Sequence, residues 1–159
     1  MHGLLISAYR GSEFPPQLPL HNNLPPVNGA FCLSPPARIL IVDSSAEARD
    51  ILSTLLRRQG AETIEAAGPS CATALLRQKT PDLIVFDVES STSSSQEETL
   101  DLGRLASLSD TPIVVLGTTK RQIGPLTTEQ FVSKPYHYGP LIRRIESLLG
   151  SQPAREMRG

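Results

Sequence analysis

Two charged residues, Asp43 and Asp87, each come directly after a short apolar segment of the sequence, and a third, Lys134, follows the short segment Phe131-Val-Ser133. One Asp at such a position is most simply a helix N-cap or a turn residue. Two carboxylates held close together repel each other and need a cation between them. Their oxygens suit Mg²⁺, and a nearby lysine can pair with a carboxylate or hold a phosphoryl oxygen. The three residues therefore predict a charged site, provided that the fold brings them together.

The elements that would position these residues alternate between strands and helices. Short β-branched apolar runs predict the strands, and apolar residues at helical spacing predict the helices. This alternation is typical of an α/β fold, a doubly wound parallel sheet with helices on both faces and right-handed crossovers. The carboxyl ends of such strands share one edge of the sheet, where ligands collect. The predicted strands are residues 38–42, 62–66, 82–86, 112–116 and 130–133, and the predicted helices are 46–59, 70–78, 96–108 and 140–149.

Two of the helices have a predicted buried face. The first should bury an apolar stripe at 3.6-residue spacing and end at Gly60. The second should begin at Ser70 as its N-cap. The inward residues are Ile51, Leu52, Leu55 and Leu56 in the first helix, and Ala72, Leu75 and Leu76 in the second.

The sequence resembles the receiver domain of two-component response regulators over residues 38–149, which is 112 of 159 residues. The order and spacing of four segments carry the resemblance. It implies a five-stranded flavodoxin-like, CheY-like sheet with strand order 2-1-3-4-5. The four segments are Ile39-Leu-Ile-Val-Asp43, Pro81-Asp-Leu-Ile-Val-Phe-Asp87, Pro112-Ile-Val-Val-Leu116 and Phe131-Val-Ser-Lys-Pro135.

The resemblance also implies a role for each residue of the charged site. Asp87 would accept a phosphoryl group from a histidine kinase or phosphotransfer protein, with Mg²⁺ assisting. Asp43 would be an acid of the metal site and Lys134 the phosphate-sensing lysine. Phe131 would be the aromatic switch residue, and Pro135 would follow a cis peptide bond.

Four positions of the site depart from the pattern of the family. Ser44 stands where a second acid is usual, and the missing charge weakens the expected Mg²⁺ site. Glu89 stands where the family offers a backbone carbonyl to the metal. Its carboxylate could compensate for the missing acid, but a solvated loop side chain is the simpler expectation. Gly117 stands where a Ser or Thr hydroxyl is usual, so that only Thr118, one residue later, could take the hydroxyl's switch role.

Two connecting segments depart from the family as well. Only residues 118–133 separate Gly117 from Lys134, so the fourth helix of the family is predicted to be shortened or absent. Partners would then use a remodelled output face. Residues 89–95 form a Ser/Thr-rich segment, which we interpret as a flexible, solvated loop.

Composition limits the partners. Lys plus Arg total 15 and Asp plus Glu total 16, so the formal net charge of −1 favours neither nucleic acid nor an anionic membrane as a partner. No apolar run is long enough to span a membrane. Two cysteines, Cys32 and Cys71, are most simply reduced thiols of a cytoplasmic protein.

Proline content divides the chain. Seven of the 14 prolines lie in the first 36 residues. We therefore interpret residues 1–37 as a Pro-rich, disordered N-terminal arm, although a docking peptide is an alternative. Residues 38–149 form the receiver-like domain and 150–159 a frayed tail.

Three functions are compatible with these observations. The first is a stand-alone receiver in phosphorelay signal transduction, a regulatory phosphoacceptor rather than a turnover enzyme, which signals by protein–protein contact. The second is a pseudo-receiver that keeps the fold as an interaction module with weak or no phosphorylation. The third is a flavodoxin-like nucleotide- or flavin-binding protein, which is disfavoured because Asp43-Ser-Ser-Ala46 contains no Gly.

Overall fold

A computed structural model describes residues 36–90, 96–118 and 130–150. Four predictions from the sequence concern residues outside these ranges. They are nearly all of the N-terminal arm, most of the Ser/Thr loop, the shortened fourth helix and nearly all of the C-terminal tail. They stay predictions. In the described part of the chain, no helix is long and apolar enough to cross a membrane.

The described elements alternate between strand and helix, as the sequence predicts. They are β1 (Arg38–Val42), α1 (Ala46–Arg58), β2 (Glu62–Ala66), α2 (Pro69–Lys79), β3 (Leu83–Asp87), a 3₁₀ turn (Val88–Ser90), α3 (Gln96–Leu108), β4 (Ile113–Gly117), β5 (Phe131–Ser133) and α4 (Tyr138–Gly150).

The five strands form one parallel sheet in the order β2-β1-β3-β4-β5. This order confirms the predicted doubly wound, flavodoxin-like fold. Val42 pairs with Phe86, so that the residues following them, Asp43 and Asp87, end adjacent strands. On the other side of β3, the Lys134 N–H donates to the Gly117 carbonyl at 2.9 Å and extends the pairing of β5 with β4.

Successive residues of each strand point to opposite faces of the sheet, which gives the domain two apolar cores. On one face, Leu40, Ile84 and Val115 pack with buried residues of α2 and α3. On the other face, Ile41, Val85 and other strand residues pack with α1 and α4. Both faces are covered because parallel strands are joined by crossover helices. The ends of β1 and β3, which lead to the two aspartates, are therefore held by buried apolar residues on both faces.

The buried face of α1 is rotated from the predicted one. Ile51 is 45% exposed, and Ser53 is buried in its place beside Leu52 and Leu56. Successive helical residues are about 100° apart around the helix axis. When residues 52, 53 and 56 form the buried face, residue 51 lies on the opposite side of the helix, toward solvent. The buried Ser53 hydroxyl is tolerated because it hydrogen-bonds the Thr63 hydroxyl of β2 at 2.7 Å.

The start of α2 also differs from the prediction. Its N-cap is Gly68, and Pro69 occupies the first helical position, so Ser70 lies inside the helix. Proline is favoured at the first position because its ring presets the helical φ and no intrahelical N–H bond is lost there. This preference outweighed the capping preference of Ser70.

Candidate functional site

The carboxyl ends of β1 and β3 hold the two predicted aspartates. Asp43 and Asp87 are each only 6% exposed, although both are acidic. A buried carboxylate needs hydrogen-bond partners. Asp43 Oδ1 accepts the Ser45 N–H at 2.8 Å, and Asp87 Oδ1 accepts the Glu89 N–H at 2.9 Å. Each aspartate thus binds the amide two residues further on, and the two turns orient both carboxyl groups in the same way.

Lys134 reaches Asp87 from β5. Because β4 lies between β3 and β5, the side chain has to extend past the end of β4. Its Nζ donates a hydrogen bond to Asp87 Oδ2 and forms an ion pair with it. The peptide bond between Lys134 and Pro135 is cis. The structure therefore brings together the three charged residues singled out in the sequence.

The proximity of these groups shifts two pKa values. Burial raises the pKa of Asp43 above its ordinary value of 3.8, and the neighbouring Asp87 raises it further, against the opposing effects of the Ser45 N–H and Lys134. Burial by itself would lower the pKa of Lys134, but the hydrogen bond and charge of Asp87, with help from Glu89, raise it. Lys134 therefore stays a cation beside the two acids.

Glu89 is exposed, as expected, but its carboxylate is also hydrogen-bonded by a residue of another strand end. Its Oε1 accepts the Thr118 N–H at 2.6 Å and also the Thr118 hydroxyl, and its Oε2 lies 3.5 Å from Lys134 Nζ. The two Thr118 hydrogen bonds, followed by the charge of Lys134, lower the pKa of Glu89. The sequence analysis missed these contacts because it could not show that β4 ends opposite the 3₁₀ turn.

Gly117 and Phe131 lie on the apolar side of this edge. A Cβ atom on Gly117 would meet Cγ2 of Val88 at 2.7 Å and the Phe131 ring at 3.4 Å. The partly buried Phe131 packs against the core formed with α2 and α3. The family usually has a Ser or Thr at position 117. In this chain Val88 occupies the space that such a side chain would need. The switch roles of Thr118 and Phe131 stay predictions.

Arg49 is a site residue that the sequence analysis missed. Its guanidinium donates to the backbone carbonyl of Asp43 at 2.7 Å and lies 3.5 Å from the Glu65 carboxylate. It thereby ties α1 and β2 to the end of β1. The only signal was a basic residue near a helix N-terminus, where a positive charge opposes the helix dipole.

A metal site is not evident from clustered ligands. Within residues 36–90, 96–118 and 130–150, no group of three or more His, Cys, Asp or Glu side chains could hold a metal ion. Ser44, which takes the place of a second acid, is exposed. The acidic donors at this edge are the two carboxyl groups of Asp43 and Asp87, since Glu89 is engaged by Thr118.

No protein-family model matches the chain, but curated proteins do. A protein-glutamate methylesterase/protein-glutamine glutaminase of Xanthomonas oryzae pv. oryzae is 35% identical over 112 residues, which is 65% of this chain and 30% of that protein. The chain thus spans less than a third of the length of this relative. Protein PilH of Pseudomonas aeruginosa is 25% identical over 71% of this chain and 98% of its own length. PhoB of the same species, a phosphate regulon transcriptional regulatory protein, is 30% identical over 51% of its length.

Solved structures share the fold. The Vibrio cholerae chemotaxis protein CheY4 aligns with a TM-score of 0.58 at 23% identity and covers 71% of this chain and 98% of its own. The receiver domain of the Francisella response regulator 1452 aligns with a TM-score of 0.58 at 18% identity, over 72% of this chain and 97% of its own. The matched sequences, the strand order and the acidic edge agree with one another. The chain carries a receiver domain, similar to those of response regulators.

Proposed function

We propose that this chain acts in phosphorelay signal transduction, by accepting a phosphoryl group on Asp87. The observation that carries the proposal is the contact of Asp87 with Lys134 beside the second buried acid, Asp43. A carboxylate fixed between a cation and a second acid at a sheet edge is arranged as a nucleophile whose product can be stabilised.

The proposed step is a group transfer from a phosphohistidine. A carboxylate oxygen of Asp87 attacks phosphorus, the P–O bond forms as the P–N bond breaks, and the imidazole leaves with the electron pair and takes a proton from solvent. Lys134 is already at Asp87 and would pair with the phosphoryl oxygens of the product. Its raised pKa keeps the charge needed for that pairing.

The donor set at this edge fits Mg²⁺, although weakly. Mg²⁺ is commonly held by one or two carboxylates together with water and phosphate oxygens. Asp43 and Asp87 would hold the ion, which would offset the repulsion between their two carboxyl groups. The Glu89 backbone carbonyl is the third ligand that the resemblance implies. When bound, the ion would offset negative charge on the phosphoryl oxygens.

The partners follow from this chemistry. The donor would be a histidine kinase or a phosphotransfer protein, and the signal would pass to a downstream protein by contact. The described Cys71 is a free thiol, which agrees with a reducing cytoplasm as the location. We do not expect nucleic acid or membrane to bind at this acidic edge, since both are polyanionic.

A second candidate function is a pseudo-receiver that binds partners without being phosphorylated. Two observations favour it. Ser44 leaves the acidic edge one charge short, and Val88 fills the space that a side chain at position 117 would need. The same experiment separates the two candidates.

The experiment is labelling of the full chain with acetyl phosphate, with MgCl₂ and with EDTA, followed by intact mass and peptide mapping. We expect Mg²⁺-dependent labelling at Asp87 and none in Asp87→Asn. Asp101→Asn is the matched control, because Asp101 is 65% exposed on α3 and should label like the wild type. Equal labelling of Asp87→Asn and wild type would refute the assignment of Asp87. Unlabelled wild type would favour the pseudo-receiver.

A further inference from the structure

Three hydrogen-bond donors converge on the carboxylate of Glu89. The Thr118 N–H reaches Oε1 at 2.6 Å, the Thr118 hydroxyl donates to the same oxygen, and the Lys134 ammonium lies 3.5 Å from Oε2. The donors come from the ends of β4 and β5, whereas Glu89 follows β3. An N–H, an O–H and an ammonium directed at one place form a receptor for an oxyanion.

This receptor lies beside the proposed phosphoacceptor. Lys134 Nζ contacts Asp87 as well as Glu89, and the Glu89 N–H is itself hydrogen-bonded to Asp87 Oδ1 at 2.9 Å. A phosphoryl group on Asp87 would carry its charged oxygens into the same neighbourhood. It would need donors of the same kind. Both Thr118 donors already go to Glu89, and the Lys134 ammonium is shared between Asp87, which accepts its hydrogen bond, and Glu89.

We propose that the Glu89 carboxylate is a tethered oxyanion that competes with a phosphoryl group on Asp87 for the donors of Thr118 and Lys134. Glu89 thereby determines how readily the site accepts phosphate. This inference rests on the proposed function, since it concerns the reactivity of Asp87. The receptor itself can be tested without any phosphoryl transfer.

Charge adds to the competition. A second carboxylate next to Asp87 repels an incoming phosphate donor, which is also an anion. Gln at position 89 would keep the length of the side chain and an acceptor for Thr118 but would remove the charge. Ala would vacate the receptor. The two variants therefore separate charge repulsion from occupancy of the donors.

The first arm of the test measures the receptor. Inorganic phosphate is titrated into ¹⁵N-labelled full chain while the Thr118 amide shift is followed. We expect a saturable shift in Glu89→Ala and little change in the wild type. Glu62→Ala is the control, because Glu62 carries the same charge at the opposite end of the sheet, 61% exposed and paired with Arg38. Its titration should match that of the wild type.

The second arm measures acetyl phosphate labelling at fixed MgCl₂. We expect Glu89→Ala to label several-fold faster than the wild type and Glu62→Ala. Glu89→Gln should lie between them, because it loses the charge but keeps an acceptor for Thr118. Folding is checked by circular dichroism. Equal rates together with no phosphate-dependent shift in Glu89→Ala would overturn the inference while the proposed function stands. If no variant labels but Glu89→Ala binds phosphate, the proposed function fails and the occupied receptor is upheld.

Discussion

Gly117 and Val88 are packed so closely that a Cβ atom on Gly117 would lie 2.7 Å from Cγ2 of Val88. Carbon atoms in proteins pack best at about 3.5–4.0 Å. Val is β-branched and cannot easily rotate away, and Val88 is only 6% exposed. Glycine at the end of β4 is therefore a packing requirement of this chain, set by the residue that follows Asp87.

This contact predicts coupled stability effects. Gly117→Ala should destabilise the domain by about 1–3 kcal/mol, because the added methyl overpacks the edge. Val88→Ala alone should cost about 1–2 kcal/mol through lost burial. The double variant should be less destabilised than the sum of the two, by at least about 0.5 kcal/mol in urea unfolding. Additive losses would contradict the contact.

A matched control for the glycine is Gly139 in α4, where a Cβ atom would meet nothing within 4 Å. Gly139→Ala should leave the stability unchanged or raise it by up to about 1 kcal/mol, because alanine is the better helix former.

The two aspartates predict a pH dependence. Asp43 has a pKa above its ordinary 3.8 in the folded protein, first because it is buried and then because of Asp87. The folded state therefore holds the Asp43 proton more tightly than the unfolded state does. The contribution of Asp43 to stability must fall as pH rises from about 3.8 through the raised pKa.

Asp87→Asn removes the neighbouring charge, so it should lower the pKa of Asp43 and flatten this fall. Carboxyl-carbon NMR titration measures the pKa of Asp43. Urea unfolding at pH values from about 3 to about 7, which bracket the ordinary Asp pKa, measures how the free energy of unfolding changes with pH. Asp101→Asn is the control and should change neither. An unchanged pKa of Asp43 in Asp87→Asn would show that the two carboxyl groups do not interact.

Ser44 predicts a gain of metal affinity. Ser44→Asp restores a second acid after β1, next to the buried Asp43, and should tighten Mg²⁺ binding about tenfold or more, which corresponds to about 1.4 kcal/mol. Ser44→Asn is the matched variant that adds an oxygen without charge and should gain much less. The measurement is an MgCl₂ titration followed by amide shifts around Asp87. Equal affinities of wild type and Ser44→Asp would place the ion away from Asp43.

Ser45 predicts a capping effect. Its hydroxyl accepts the Ala48 N–H at 3.2 Å at the start of α1. Ser45→Ala should therefore lower the free energy of unfolding by about 1 kcal/mol. Ser44→Ala, one residue earlier and exposed, should change it by no more than about 0.5 kcal/mol. A loss of the same size in both variants would argue against Ser45 as the cap.

Much of the site could be predicted because its parts follow local rules. Asp43, Asp87 and Lys134 each lie at the end of a predicted strand, and parallel strands place their carboxyl ends at one edge. The predicted boundaries of β1 and α3 agree with the structure. The prediction was wrong where two local preferences competed. Ser70 is a favourable N-cap, but Pro69 is favoured as the first helical residue, so α2 begins at Pro69 and its N-cap is Gly68.

By itself, the sequence determined which segments are strands, which are helices and which charged residues end the strands, because hydrophobic periodicity is a local property of the chain. Only the tertiary structure decided what those ends contact. Glu89 and Thr118 are 29 residues apart, and Lys134 and Asp87 are 47 apart. The spacing of residues along the chain cannot show that the Glu89 carboxylate accepts both hydrogen bonds of Thr118, or that Val88 occupies the space beside Gly117. Both contacts depend on how β4 lies against β3 at the level of single atoms.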